Sequence, residues 1–154
     1  MIKFENVTKI YSPSTVVLQE VSFEIKEGEF VSIVGKSGAG KTTLIRLILG
    51  LEEPTSGAVF FNGQNVSDLD QSEIQKIRRR IGGIYQDYKL LSTKTVYENV
   101  AYILAVEGKN NQEIALEVPQ ILDAIGLADK VNNFPNELSG GEQQRLAVAR
   151  ALVN

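Results

Sequence analysis

One short segment, GKSGAGKT from Gly35 to Thr42, has residue types and a spacing that suit the binding of phosphate groups. It matches the pattern G-x-x-x-x-G-K-[ST] without a mismatch, with an apolar run before it and a helical pattern after it. Gly35, Gly38 and Gly40 allow the backbone to curl so that successive N–H groups face an anion, and the start of the helix adds partial positive charge. We therefore predict that Lys41 reaches the β- and γ-phosphates of a nucleoside triphosphate and that the Thr42 hydroxyl ligates Mg²⁺. The alternative is a flexible loop whose lysine is merely solvated.

A second glycine-containing turn, LSGGEQQ at 138–144, opens another helical pattern much later in the chain. Ser139 can cap this helix, and the amides of Gly140 and Gly141 can point at an anion. No lysine accompanies the turn, so local chemistry alone favours an ordinary helix start with a serine cap.

Composition excludes several classes of protein. The chain has 154 residues, 16 basic against 19 acidic, and a net charge of −3, which gives no electrostatic reason to expect nucleic-acid binding. Its richest apolar run, at 44–51, is interrupted by Arg46 and is far shorter than the roughly 20 residues that span a bilayer. The first residues lack the apolar block of a signal peptide. Histidine and cysteine are both absent, so no imidazole or thiol chemistry is available, and we expect a cytosolic chain.

Two kinds of strand are predicted around the first motif. Apolar residues alternate at 1–7 and again at 18–25, which is typical of half-buried antiparallel strands. The short apolar runs FVSIV at 30–34 and IGGIY at 81–85 instead predict strands that are buried on both faces of a parallel sheet. The Asn62-Gly63 pair predicts a type I′ hairpin.

Helices are predicted after the loop and throughout the second half of the chain. The first runs from Thr42 to Leu49 and is closed by Gly50. Pro119 is interpreted as a first-turn proline and Gly126 as a C-cap. The later helices are predicted at 71–80, 96–106, 112–117 and 119–125. The basic residues Lys76, Arg78, Arg79 and Arg80 either face acidic lipid headgroups or a partner, or form a solvated helix face.

The order of the motifs adds information that neither motif carries alone. The phosphate loop is followed by Gln86, directly after IGGIY, and then by LSGGEQQ. In this order the chain, from Ile2 to Asn154, resembles the ATP-binding-cassette (ABC) ATPases. The resemblance implies an α/β fold of the P-loop NTPase type, with an antiparallel β lobe, an incomplete parallel core sheet and a helical lobe. It implies one ATP-binding domain over 1–154, with a β and core lobe at 1–85, a helical lobe at 86–140 and a signature helix at 141–154.

The resemblance also implies a role for individual residues. Tyr11 would stack on adenine, although an exposed strand-end aromatic is the alternative. Gln86 would contact Mg²⁺ and the attacking water and relay the nucleotide state to a membrane partner, which makes Lys41 and Gln86 the catalytic candidates; the alternative for Gln86 is a plain loop glutamine. The implied ATP-binding residues are Tyr11, Gly35, Lys36, Ser37, Gly38, Ala39, Gly40, Lys41, Thr42 and Thr43. Residues implied to contact ATP held by a second copy, and hence to require a homodimer, are Ser139, Gly140, Gly141 and Gln143.

The segment from Tyr85 to Gly108 is similar to the cell-division branch of this family in bacteria. That similarity implies a partner, an FtsX-like integral-membrane permease, and coupling of ATP binding and hydrolysis to peptidoglycan hydrolysis at the septum. It places the chain in the cytoplasm, peripheral on the inner face of the plasma membrane. Lipoprotein-releasing and macrolide-exporting ATPases carry similar sequences and are an alternative. A soluble cassette protein of translation or DNA repair and a non-hydrolysing nucleotide-binding module are further alternatives.

Hydrolysis in this family uses residues that this sequence does not contain. Relatives carry an apolar strand that ends in Asp-Glu after the signature helix, and a histidine beyond it. None of the acids Asp87, Glu98 and Glu142 follows a buried strand beside the phosphate loop, and none is expected to substitute. We therefore expect no efficient hydrolysis from this chain alone and an open sheet edge beside FVSIV that favours instability or aggregation. The sequence is interpreted as an N-terminal fragment, with a naturally short ATP-binding protein as the alternative.

Overall fold

Four antiparallel strands form the sheet in the first half of the chain, in the order β2-β1-β3-β4. The computed structural model describes residues 1–153, which fall into two compact units, 1–78 and 79–153. The strands are β1 (Ile2–Ser12), β2 (Thr15–Ile25), β3 (Ser56–Phe61) and β4 (Gln64–Asn65). The helices are α1 (Lys41–Ile48), α2 (Gln71–Arg79), α3 (Val96–Val106), α4 (Asn111–Ala124) and α5 (Gly140–Leu152).

The predicted antiparallel strands and the hairpin are confirmed. Phe4 of β1 lies opposite Phe23 of β2, and their rings stack with centroids 4.5 Å apart. This pair covers part of the sheet, as expected from alternating apolar residues in a half-buried strand. Between β3 and β4, Asn62 (φ 50°) and Gly63 (φ 82°) both adopt the left-handed conformation that a type I′ turn requires.

The two predicted core strands are wrong as strands. Residues 30–34 and 81–85 form neither strand nor helix, and Phe30 and Val34 are 98% and 86% exposed. A strand is stable only when a neighbouring strand pairs with its backbone N–H and C=O groups, and the only sheet among residues 1–153 is the antiparallel one. A Cβ added to Gly82 would lie 2.0 Å from the carbonyl oxygen of Ala151, so this segment packs against the end of α5 without forming a ladder.

Helix α4 is continuous where two helices were predicted. Pro119 lies inside it rather than in the first turn of a separate helix. Ile114, Val118 and Leu122, at four-residue spacing, form one buried stripe. Packing of this stripe outweighs the hydrogen bond lost at an internal proline, which costs about 3 kcal/mol. The helix ends as predicted before Gly126, whose φ is 66°.

One member of the basic cluster has a structural role. Arg78 donates hydrogen bonds from Nε to the carbonyl oxygen of Leu49 (2.8 Å) and from an Nη atom to that of Gly50 (3.0 Å). These carbonyls follow the last turn of α1, where a cation is favourable. Arg78 therefore stabilises the C-terminal end of α1, the helix that follows the phosphate loop.

The helical unit contains a buried asparagine beside its aliphatic core. Asn99 of α3 is fully buried, and its Oδ1 accepts a hydrogen bond from the N–H of Leu91 (2.9 Å). Its Nδ2 donates to the carbonyl oxygens of Leu91, Lys94 and Thr95 at 2.9–3.1 Å. One side chain thus binds several backbone groups of the loop that leads into α3, in addition to the backbone bonds from Lys94 N–H to Leu91 and from Asn99 N–H to Thr95.

We expect replacement of Asn99 by alanine to lower the free energy of unfolding by about 2 kcal/mol, because the part-buried N–H of Leu91 and carbonyl oxygen of Lys94 lose their hydrogen-bond partner. Urea denaturation followed by far-ultraviolet circular dichroism measures this loss. The matched control is Asn132→Ala at an exposed turn position, for which a change within about 0.5 kcal/mol is expected. Equal losses in the two variants would contradict the role given to Asn99.

Candidate functional site

The phosphate loop is held by a glycine that faces a strand. Gly40 precedes α1 with φ 87° and is buried. An added Cβ would lie 2.9 Å from Leu18 Cδ2 and 3.0 Å from the carbonyl oxygen of Val17, both in β2. A left-handed backbone and this close approach both require glycine. No side chain caps the first turn of α1, so the N–H groups of this turn are available to an anion.

Lys41 lies in the curve of the loop. Its Nζ donates hydrogen bonds to the carbonyl oxygens of Gly35 (2.7 Å) and Lys36 (2.8 Å). The N–H of Ala39 donates to the carbonyl oxygen of Lys36 (3.1 Å), which closes the turn. The curled loop expected from the glycines is therefore formed around the ammonium group. This arrangement places one cation beside backbone N–H donors, which is the chemistry that a polyphosphate needs.

The hydroxyl group of Thr42 is chemically suited to ligate Mg²⁺. It lies in the first turn of α1, next to Lys41, and is exposed. A hydroxyl oxygen is one of the hard ligands that Mg²⁺ accepts together with phosphate oxygens and water. Contact of Thr42 with a metal stays a prediction.

Tyr11 lies against the helix that follows the phosphate loop. Its hydroxyl is 3.3 Å from Thr43 Oγ1 in α1 and donates to Glu52 Oε2 at 2.5 Å. The Nζ of Lys9 lies over the ring, 5.2 Å from the centroid. Tyr11 is 49% exposed, so its polar edge is held while much of the ring remains accessible. The structure thus brings the predicted adenine residue next to the predicted phosphate residues.

Glu52 and Arg46 were not among the residues proposed from the sequence. Arg46 donates to Glu52 Oε1 at 2.8 Å. The hydrogen bond from Tyr11, followed by the one from Arg46, holds the pKa of Glu52 below its ordinary value, so the carboxylate is ionised at neutral pH. No motif of the sequence indicates Glu52 or Arg46. The sequence indicates only that Lys9 and Tyr11, two residues apart in a strand, share a face.

Gln86 begins an exposed turn in the second unit. Tyr88 and Lys89 in this turn have φ values of 54° and 48°. An Nη atom of Arg150 in α5 donates to the carbonyl oxygen of Lys89 (2.7 Å), and burial lowers the pKa of this guanidinium. The turn that carries Gln86 is therefore attached to the helix that begins with the second motif. The role of Gln86 toward Mg²⁺ and water stays a prediction.

The second motif forms a capped helix start, as its local chemistry predicts. Ser139 is the N-cap of α5, and its N–H and Oγ–H both donate to Glu142 Oε2 at 2.7 Å. These bonds hold the pKa of Glu142 below its ordinary value. Gln143 donates from Nε2 to the carbonyl oxygens of Pro135 (2.9 Å) and Leu138 (3.1 Å), so it fixes the preceding turn. Contact of Ser139, Gly140, Gly141 and Gln143 with ATP of a second copy stays a prediction.

Comparison with known proteins gives consistent matches across the chain. A model of the ABC transporter family matches residues 18–154. The cell division ATP-binding protein FtsE of Escherichia coli strain K12 is 47% identical over 154 residues, which are 100% of this chain and 69% of that protein. The methionine import ATP-binding protein MetN of Helicobacter pylori strain J99 is 45% identical over 100% of this chain and 47% of its own length. A solved dimeric structure of the ATP-binding cassette MJ0796, in a post-hydrolysis state with ADP and Pi, has a TM-score of 0.89 and 41% identity, covering 100% of this chain and 70% of that one.

Proposed function

This chain belongs to the ABC transporter family of ATP-binding cassettes, and from that premise we propose that it is the ATP-binding subunit of a bacterial cell-division complex. The cassette fold predicted from the order of the motifs is confirmed by these matches. The observation that carries ATP binding is the curled loop at 35–42, in which Lys41 Nζ is held by two loop carbonyls beside the open first turn of α1. The cell-division role is supported by the 47% identity to FtsE.

We propose that ATP binds by replacing contacts that the loop now makes with itself. The loop N–H groups and the first turn of α1 receive phosphate oxygens. Lys41 would exchange its two carbonyl partners for the β- and γ-phosphates. Thr42 would hold Mg²⁺, which would supply neutralisation of charge on those phosphates. Tyr11 stacks on adenine with the accessible part of its ring. By the family resemblance, Gln86 would contact the metal and the attacking water.

A homodimer is part of the proposal. The MJ0796 cassette, which is 41% identical to this chain, was solved as a dimer. We propose that Ser139, Gly140, Gly141 and Gln143 of one copy contact the ATP that the phosphate loop of the other copy holds. In the single chain the Ser139 hydroxyl donates to Glu142 of the same helix. In such a pair this hydrogen bond would have to break for the hydroxyl to donate to ATP of the other copy.

The membrane partner is proposed to be an FtsX-like permease, with control of peptidoglycan hydrolysis at the septum as the output. No helix within residues 1–153 is both long enough and apolar enough to cross a bilayer. Peripheral attachment to the inner face of the plasma membrane through this permease is part of the proposal. FtsE supports this choice of partner at 47% identity, and MetN, at 45%, supports an import permease as the competitor.

Co-purification distinguishes these partners. The tagged chain is co-expressed with either an FtsX-type or a methionine-import permease, extracted in mild detergent with ATP and Mg²⁺, and captured through its tag. We expect retention of the FtsX-type permease only. Retention of the import permease alone would contradict the cell-division role, and retention of neither would favour the non-hydrolysing nucleotide-binding module.

A further inference from the structure

We propose that Glu52 is a positioning residue that fixes the ring of Tyr11 for stacking on adenine, and that it does so together with Lys9 and Arg46. The proposal rests on ATP binding by this chain, as proposed above. It adds a residue that no motif of the sequence indicates and a reason for the orientation of the tyrosine ring.

The contacts converge on one carboxylate. Glu52 Oε2 accepts the Tyr11 hydroxyl at 2.5 Å and lies 3.5 Å from Lys9 Nζ. Glu52 Oε1 accepts from Arg46 at 2.8 Å. Lys9 Nζ also donates to the carbonyl oxygen of Glu53 at 2.7 Å. Each oxygen of Glu52 is therefore occupied, and the tyrosine hydroxyl is held in one direction.

The burial of these groups distinguishes the cluster from an ordinary surface ion pair. The side chains of Glu52 and Lys9 are only 16% and 15% exposed, whereas Tyr11 is 49% exposed. Exposed ion pairs contribute little because water screens them and the side chains lose entropy on pairing. Here Glu52 and Lys9 are sheltered, and Arg46, which is 54% exposed, supports the carboxylate from the solvent side. The ring of Tyr11 is left accessible, which is the distribution expected of a held binding surface.

The cluster also relates the ring to the phosphate loop. The Tyr11 hydroxyl lies 3.3 Å from Thr43 Oγ1, and Arg46 belongs to the same helix, α1. Lys9 Nζ lies over one face of the ring, 5.2 Å from its centroid. The ring on which a base would stack is thus held in a fixed position relative to α1, the helix whose first turn would hold the triphosphate.

The expected gain is one of preorganisation. Ordering a free side chain on binding costs about 0.5–1.5 kcal/mol, so a tyrosine that is already ordered binds the base more tightly. We expect Glu52→Ala to raise the Kd for ATP about 3- to 10-fold. The Kd for inorganic tripolyphosphate, which has no base, is expected to stay within about twofold, because the phosphate loop is unchanged.

Isothermal titration calorimetry of the full chain with Mg·ATP and with Mg·tripolyphosphate measures both constants. The quantity compared is the ratio of the Kd for ATP to the Kd for tripolyphosphate. Glu53→Ala is the matched control, because Glu53 is exposed and contacts Lys9 through its backbone carbonyl, which the substitution keeps. Tyr11→Phe keeps the ring and removes the hydroxyl, so it is expected to raise the ratio as Glu52→Ala does. The double variant is expected to resemble either single variant.

The outcomes separate this proposal from the one on which it rests. An unchanged ratio, or an equal loss for both ligands, would overturn the role of Glu52. Circular dichroism checks that each variant is folded; if Glu52→Ala is not, the ratio in folded Tyr11→Phe decides. Wild-type chain that binds neither ligand would refute ATP binding and this proposal together.

Discussion

Replacing Lys41 with alanine is expected to raise the Kd for ATP by at least about 100-fold. The ammonium group now donates to the carbonyl oxygens of Gly35 and Lys36 inside the loop, within reach of any phosphate that the loop binds. A hydrogen bond to a charged group contributes about 1.5–3 kcal/mol, and two such bonds to phosphate oxygens exceed the 2.8 kcal/mol that corresponds to about 100-fold. Isothermal titration with Mg·ATP measures the change.

The control for Lys41 removes the same charge elsewhere in the same unit. Lys26 is exposed and follows β2 directly. Lys26→Ala changes the net charge by the same amount, so any long-range attraction of ATP by the whole protein falls equally in both variants. We expect the Kd of Lys26→Ala to stay within about twofold of wild type. Similar Kd values for the two variants would show that Lys41 does not bind phosphate.

Features that depend on neighbouring residues were predictable from the sequence. The hairpin at Asn62 and Gly63 follows from two residues that tolerate a left-handed backbone. The cap of α5 follows from Ser139 with Glu142 three residues later. The curled phosphate loop likewise follows from its own glycines and from the lysine that begins α1.

Features that depend on distant partners were not predictable. The apolar run at 30–34 was expected to be a buried strand, yet Phe30 is 98% exposed, because a strand also requires a neighbour with which to pair. Pro119 was expected to begin a helix, as prolines often do, but it lies inside α4 because the buried stripe of that helix continues through it. For Tyr11, the family resemblance implied stacking on adenine, but its partner Glu52 is 41 residues away and carries no motif.

Gly57→Ala is expected to have the largest effect on stability, because it combines backbone strain with a clash between strands. Gly57 lies in β3 with φ 82°, opposite the bulge of β1. An added Cβ would lie 2.3 Å from the carbonyl oxygen of Asn6 and 2.5 Å from that of Glu5. Both obstacles are backbone atoms, so β1 and β3 must separate locally. Strain of about 1–2 kcal/mol and a packing cost of about 1–3 kcal/mol give an expected loss of about 4 kcal/mol in the free energy of unfolding.

The same substitution at Gly63 separates the two causes. Gly63 also has φ 82°, but nothing lies within 4 Å of an added Cβ. Gly63→Ala therefore carries the backbone strain alone, with an expected loss of about 1–2 kcal/mol. Urea denaturation of both variants measures the difference, which is the cost of forcing β1 away from β3. Since β1 also carries Lys9 and Tyr11, Gly57→Ala is expected to weaken binding of ATP more than binding of tripolyphosphate. Equal losses of stability in the two variants would contradict the clash.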